Sequence, residues 1–202
     1  MIIQPGLARI EGFLKAYDPQ SGEVFVDKKN AIHYENISIA MANTLANNST
    51  GFIYAMAFGN GGSAVDPTGV ITYLPPNTTG QNASLYNQTY SKVVNQHSAA
   101  DLDPVNNYLT VLHTSGNVYT DIVTTCLLDY GEPAGQQAFD NSTNFNGDYV
   151  FDELGLQCWN GSADNLLLIT HVIFHPVQKS LNRQIQIDYT LRIQTLTNLS
   201  AA

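Results

Sequence analysis

The chain has 202 residues, of which 44% are hydrophobic and only 12% are Asp, Glu, Lys or Arg, and its 17 acidic and 8 basic side chains leave a net charge of −9. So few cations exclude a generic nucleic-acid or anionic-membrane binder, which must neutralise phosphates. The 8 Phe and 11 Tyr supply enough apolar surface to exclude a disordered tail.

Polarity comes from neutral groups, 20 Asn, 17 Thr and 12 Gln, and the length suits a single domain, 1–202. The longest apolar stretch, 166–174, is interrupted by His171 and falls far short of the ~20 residues of a membrane helix. Met1 to Leu7 lacks the basic-then-apolar pattern of a secretory signal, so the expected setting is a cytoplasm, before or during assembly. Cys126 and Cys158 sit in no CxxC or CxxH spacing and read as buried free thiols.

Residues 7–27 predict a hairpin, because two apolar runs flank Asp18-Pro19-Gln20-Ser21-Gly22, whose residues favour a turn. With the N-terminal arm before it, this forms the unit 1–30. One amphipathic helix is expected over 31–46. Asn30 is its candidate N-cap, Tyr34, Ile37, Met41 and Leu45 form its apolar stripe, and 47–51 form its stop. Residues 52–58 are apolar at both alternating sets of positions and predict a strand buried on both faces. A long loop, 59–88, follows, rich in Gly, Pro, Asn and Thr, with one short strand at Val70–Leu74. Strands are then expected at 86–94, 108–113, 118–128, 149–156, 166–174 and 183–195, with a polar loop over 131–147. The last strand is the clearest: Ile185, Ile187, Tyr189, Leu191 and Ile193 alternate with polar residues. Many strands without interleaved helices give a mainly β fold, an antiparallel β-sandwich or jelly-roll-like barrel with one helix packed on it.

Candidate chemistry is sparse. Gly59-Asn60-Gly61-Gly62 has the composition of a phosphate-cradling loop, but no Walker lysine follows it and no helix starts there, so it reads as a tight turn. His171 and His175 are four apart, but on a strand that separates them by about 13 Å, too far for one ion. Asp152 and Glu153 are adjacent in an expected strand and point to opposite faces, so they do not form a glycosidase pair, and solvated carboxylates are the preferred reading. The Asp101-x-Asp103 pair lacks the grammar of a calcium loop. No nucleophile, base and orienting group can be assembled, so no catalytic, cofactor-binding or metal-binding residue is assigned and the chain is read as a non-enzyme. One distribution is less bland. No Lys or Arg falls between Val93 and Gln178, while Arg9, Lys15, Lys28, Lys29, Lys92, Lys179, Arg183 and Arg192 lie toward the two ends. If the termini share one side, the molecule has a basic end and an acidic end suited to head-to-tail contacts.

Several strings carry a resemblance. Lys29-Asn30-Ala31-Ile32-His33, Phe58-Gly59-Asn60-Gly61-Gly62, 70–80 and Leu85-Tyr86-Asn87-Gln88-Thr89-Tyr90 resemble a family of small virion structural proteins of tailed bacteriophages. Phe151-Asp152-Glu153-Leu154-Gly155-Leu156 and Thr170-His171-Val172-Ile173-Phe174-His175-Pro176 are similar to the same family. The resemblance spans about 24–194. It implies a virion protein of the neck or collar, the head-tail connection, or of the outside of the capsid, made in the host cytoplasm, and the leading reading is a homo-oligomer at the neck or collar. The expected partners are copies of itself and other neck, tail or capsid proteins; the resemblance implies no cofactor and no catalytic residue, and the acidic composition argues against a membrane or a specific nucleic acid. Two rivals stand beside it. One is a capsid decoration protein. The other is a carbohydrate-binding β-sandwich module of a host-recognition apparatus, stacking sugars on Tyr73, Tyr86, Tyr90 or Trp159.

Overall fold

A computed structural model describes residues 8–98, 101, 103–134 and 149–195. The N-terminal arm, Met1 to Leu7, and most of the expected loop at 131–147 lie outside those residues. The elements in chain order are β1 (Ala8–Tyr17), β2 (Val24–Ile32), α1 (Tyr34–Leu45), β3 (Ile53–Gly59), β4 (Ser63–Val65), β5 (Ile71–Tyr73), β6 (Gln88–Val93), β7 (Tyr108–Leu112), β8 (Tyr119–Leu128), β9 (Val150–Ser162), β10 (Asn165–Leu168), β11 (Thr170–Gln178) and β12 (Ile185–Thr195). The fold is mainly β, as the alternation of the sequence predicts, with one helix among the described residues.

The main sheet is antiparallel and follows the order β6-β3-β9-β11-β2-β1-β12-β8-β7, with β10 also on β9. Its two halves are joined at one narrow seam. There β11 gives its first two residues to β2, Thr170 opposite Ile32 and His171 opposite Ala31, before crossing to β9. The sheet curls at that seam and its halves face each other. Leu14, Val26, Ile187 and Tyr189 of one half enter the same core cluster as Met56, Phe58, Leu154 and Phe174 of the other. Burying those side chains contributes about 1.5–3 kcal/mol each. The expected alternation of β12 is observed, with Ile185, Ile187, Tyr189 and Leu191 buried, and β3 is buried on both faces. Cys126 and Cys158 are free thiols in this core, where burial pushes both up to about 12.

Three expectations need correction. The helix starts later than Asn30, because Asn30 and Ala31 belong to β2, and Ala31 is held in the ladder by His171. Its N-cap is His33, whose Nδ1 accepts from the Asn36 amide at 3.1 Å. Its inward stripe is Asn36, Ile37 and Ala40, while Tyr34 and Leu45 are 67% and 83% exposed. The expected strand at 166–174 is two strands, β10 and β11, and the second runs on past His175. β11 runs to Gln178 through an irregularity between Ile173 and Val177 that accommodates Pro176, which has no N–H to give the ladder. Finally, the stretch 59–88 holds a two-stranded hairpin, β4–β5, where one short strand is expected, and it is fastened to the main sheet.

Candidate functional site

The fastening is a buried polar network that joins 60–88 to β9, β11 and the start of α1. Strand β9 is apolar around Asp152 and Glu153, yet both side chains are buried, at 3% and 0% exposure. The expectation of solvated carboxylates is therefore wrong at both positions, and the reason lies in their partners. One Glu153 oxygen, Oε1, accepts from the amides of Asn87 at 2.8 Å and Gly61 at 3.1 Å; the other, Oε2, accepts from the Tyr86 amide at 2.9 Å and from His171 Nε2 at 3.0 Å. Asp152 accepts from the amides of Gly62 at 2.9 Å and Ser63 at 2.8 Å, and from the Ser63 hydroxyl. A buried carboxylate is tolerable only with this kind of donor set.

The glycine-rich turn makes the network possible. A Cβ on Gly59 would lie 2.5 Å from both the Asn87 carbonyl and Glu153, and one on Gly61 would lie 2.7 Å from the Asn87 amide. Backbone crosses backbone here with no room for side chains. Gly155 has the same role under the returning chain, where a Cβ would meet the Thr170 carbonyl at 2.4 Å, and where Leu85 packs on Ala57 and Leu168. The composition of a phosphate-cradling loop is thus explained without phosphate: its amides do bind anions, but the anions are the chain's own Asp152 and Glu153.

His171 Nδ1 accepts from the Asn77 amide at 2.8 Å, so its ring proton is assigned to Nε2, which donates to Glu153. His33 repeats the arrangement, accepting at Nδ1 from Asn36 and donating from Nε2 to the Gly80 carbonyl at 2.9 Å. Asn36 adds bonds from its side-chain amide to Gln81 O at 3.2 Å and Leu168 O at 2.9 Å. Burial raises the Glu153 carboxyl, but the His171 N–H and the Asn87, Tyr86 and Gly61 amides outweigh it and leave it below its ordinary value. For Asp152 burial wins over the Ser63 and Gly62 donors, and the carboxyl is raised.

Chemically this arrangement is a latch. A cleft of about 250 Å³ lined by Lys28, Tyr73, Pro76 and His171 lies on the His171 side of it. Both ring nitrogens of His171 are already engaged, by the Asn77 amide and by Glu153. The other histidine, His175, is exposed and contacts the Tyr73 hydroxyl at 3.3 Å, so the structure does not bring the two histidines together. The proposed sugar-stacking aromatics are dispersed. Tyr73 and Tyr86 are exposed on the latched segment, Tyr90 packs on Phe58, and Trp159 packs against Phe52 and Tyr54.

The expected basic end is not an unpaired patch. Arg9 and Lys29 both reach Glu11, Arg192 forms a two-pronged pair with Asp121 at 2.8 Å on each prong, and Lys15 stands opposite Asp188 and Asp27 on its two neighbouring strands. These four cations thus each stand beside a carboxylate, while the acidic excess of the chain remains.

The two ends of the sheet differ from this pattern and from each other. At one end, Lys92 of β6 reaches across to the Leu127 carbonyl at 2.7 Å and to Glu132. The cleft beside it, about 270 Å³, is lined by β6 with Asp101, Asp103 and Asn107. At the other end β7 is open. No backbone hydrogen bond of 108–112 goes beyond the pairing with β8 among the described residues. Tyr108, Val111 and Leu112 are 40%, 67% and 51% exposed, and the strand carries no charge. The sequence pattern marks β7 as a strand but gives no sign that it is an edge, because edge position depends on the partner order of the whole sheet.

No helix among the described residues is long and apolar enough to cross a membrane. No family model matches this chain, and neither does any curated protein or solved structure.

Proposed function

We propose that this protein is a non-enzymatic structural component of a tailed-phage particle, assembling with copies of itself and with other virion proteins at the neck or collar. Two things support the reading. The first is the resemblance carried by the strings from Lys29 through Pro176. The second, and the single structural observation that carries it, is the open, uncharged β7 edge with Tyr108, Val111 and Leu112 exposed. Proteins that remain monomeric blunt such edges with charge, proline or a covering segment, whereas an assembling protein keeps one for its partner. The buried carboxylates and histidines act on the chain's own backbone, which suits a rigid building block. Capsid decoration is the rival within the class, and it differs only in position on the particle.

The test is a density map of purified particles together with their protein content. The proposal expects this chain in multiple copies around the head-tail connection. Multiple copies on the capsid surface would favour decoration, and complete absence from purified particles would overturn the virion reading.

A further inference from the structure

We infer that β7 pairs antiparallel with β7 of a second copy, about a two-fold axis at Thr110, so that the two sheets continue into one another. The inference rests on the homo-oligomeric part of the reading above and names the surface and the partner.

Four observations lead to it. First, the backbone edge of 108–112 is unpaired among the described residues, and such an edge takes an added strand. Second, the strand is chemically palindromic. Read in either direction from Thr110, Tyr108-Leu109-Thr110-Val111-Leu112 places an aliphatic residue next and an apolar one after it. In a two-fold antiparallel pair Thr110 faces its own copy, Leu109 faces the partner's Val111, and Tyr108 faces the partner's Leu112. All of these are favourable cross-strand pairs. Third, each copy carries a net charge of −9, so like-charged molecules meet best where there is no charge. The carboxylate nearest in register, Asp121 opposite Leu112, is already neutralised by Arg192. Fourth, the alternative of β7 on a neighbour's β6 is disfavoured, because the β6 edge faces its own chain across the Lys92–Leu127 contact.

The pairing is tested on the full chain by sedimentation velocity over a wide concentration range, comparing wild type with Val111→Lys. Val111 is 67% exposed, so the variant folds as wild type does, with an unchanged far-ultraviolet spectrum. A lysine facing the partner's Leu109 is expected to weaken self-association on the order of tenfold or more. The geometry itself is tested by Thr110→Cys. Opposed residues in an antiparallel pair lie about 4.5–5.5 Å apart, within the span of a disulfide, so mild oxidation should give a covalent dimer through residue 110. The native thiols, Cys126 and Cys158, are buried and do not compete.

Wild-type self-association that Val111→Lys leaves intact, or the lack of any 110–110 cross-link, overturns the pairing. So does a wild-type protein that is monomeric at every concentration but needs Val111 to join the particle, since its partner would then be a strand of another protein. The two readings fail separately. A cross-linked dimer from a protein missing from purified particles sinks the virion role and keeps the pairing, and multiple copies in particles assembled equally well with Val111→Lys do the reverse.

Discussion

The segment 60–88 and the strand β7 are both surface features of this sheet, and they handle exposed backbone in opposite ways. In the first, long irregular chain that would otherwise present amides to water delivers at least five of them, from Gly61, Gly62, Ser63, Tyr86 and Asn87, to two buried carboxylates. In the second, a regular strand with every requirement for pairing has one side unpaired among the described residues. The contrast shows that irregular sequence does not mean mobile structure, and that regular structure does not mean a finished one. The ornate segment is closed by internal chemistry, while the plain strand has an open side among the described residues.

The largest effect expected from breaking this contrast is at Glu153. Glu153→Ala leaves buried amides and the His171 N–H without their acceptor, and should cost about 3–5 kcal/mol in urea denaturation, as removal of one member of a buried pair does. Acid sharpens the same point. Because the folded Glu153 carboxyl lies below its ordinary value of 4.5, the stability it contributes is complete above that value and is lost as pH falls through the lowered one. Asp152, raised by burial, has the opposite linkage: its contribution is complete below its ordinary value and declines as pH rises through the folded one. Wild type should therefore lose more stability than Glu153→Gln between about pH 5 and pH 3; parallel pH profiles would contradict the assignment of Glu153 as the charged acceptor.

Next in size is Gly155→Ala. Its methyl would press on the Thr170 carbonyl and Leu168, and overpacking of this kind costs about 1–3 kcal/mol, readable as a lowered thermal midpoint. The smallest stability change belongs to the other member of the comparison. Val111→Lys on the open strand should stay within about 0.5 kcal/mol of wild type, as surface substitutions do, when unfolding is measured at a concentration where the protein is monomeric. A large loss there would mean that β7 is part of the packed core after all.

Sequence patterns reached the local features and stopped where partners are distant. The alternation of Ile185 to Leu191, the turn at Asp18–Gly22 and the two-faced apolar run at 53–58 depend on near neighbours, and all appear in the structure. Asn30 satisfies capping chemistry in isolation, whereas its pairing with Gly12, and that of Ala31 with His171 far along the chain, keep both extended and move the helix start. The donors that bury Asp152 and Glu153 come from 61–63 and 86–87, out of reach of a local pattern. A signal did exist for them. Two carboxylates inside an otherwise apolar strand must be satisfied, and a Gly-x-Gly-Gly turn offers amides unshielded by side chains. The network is what those two observations require when taken together.

The central claim is that 60–88 is latched by buried carboxylates, and native-state hydrogen exchange tests it most directly. The amides of Gly61, Gly62, Tyr86 and Asn87 should exchange as slowly as those of β9 in wild type, and Glu153→Ala should accelerate Gly61, Tyr86 and Asn87 ahead of global unfolding. Rapid exchange of these amides in the wild-type protein, at the rate of the exposed Thr68 and Gly69 amides, would contradict it.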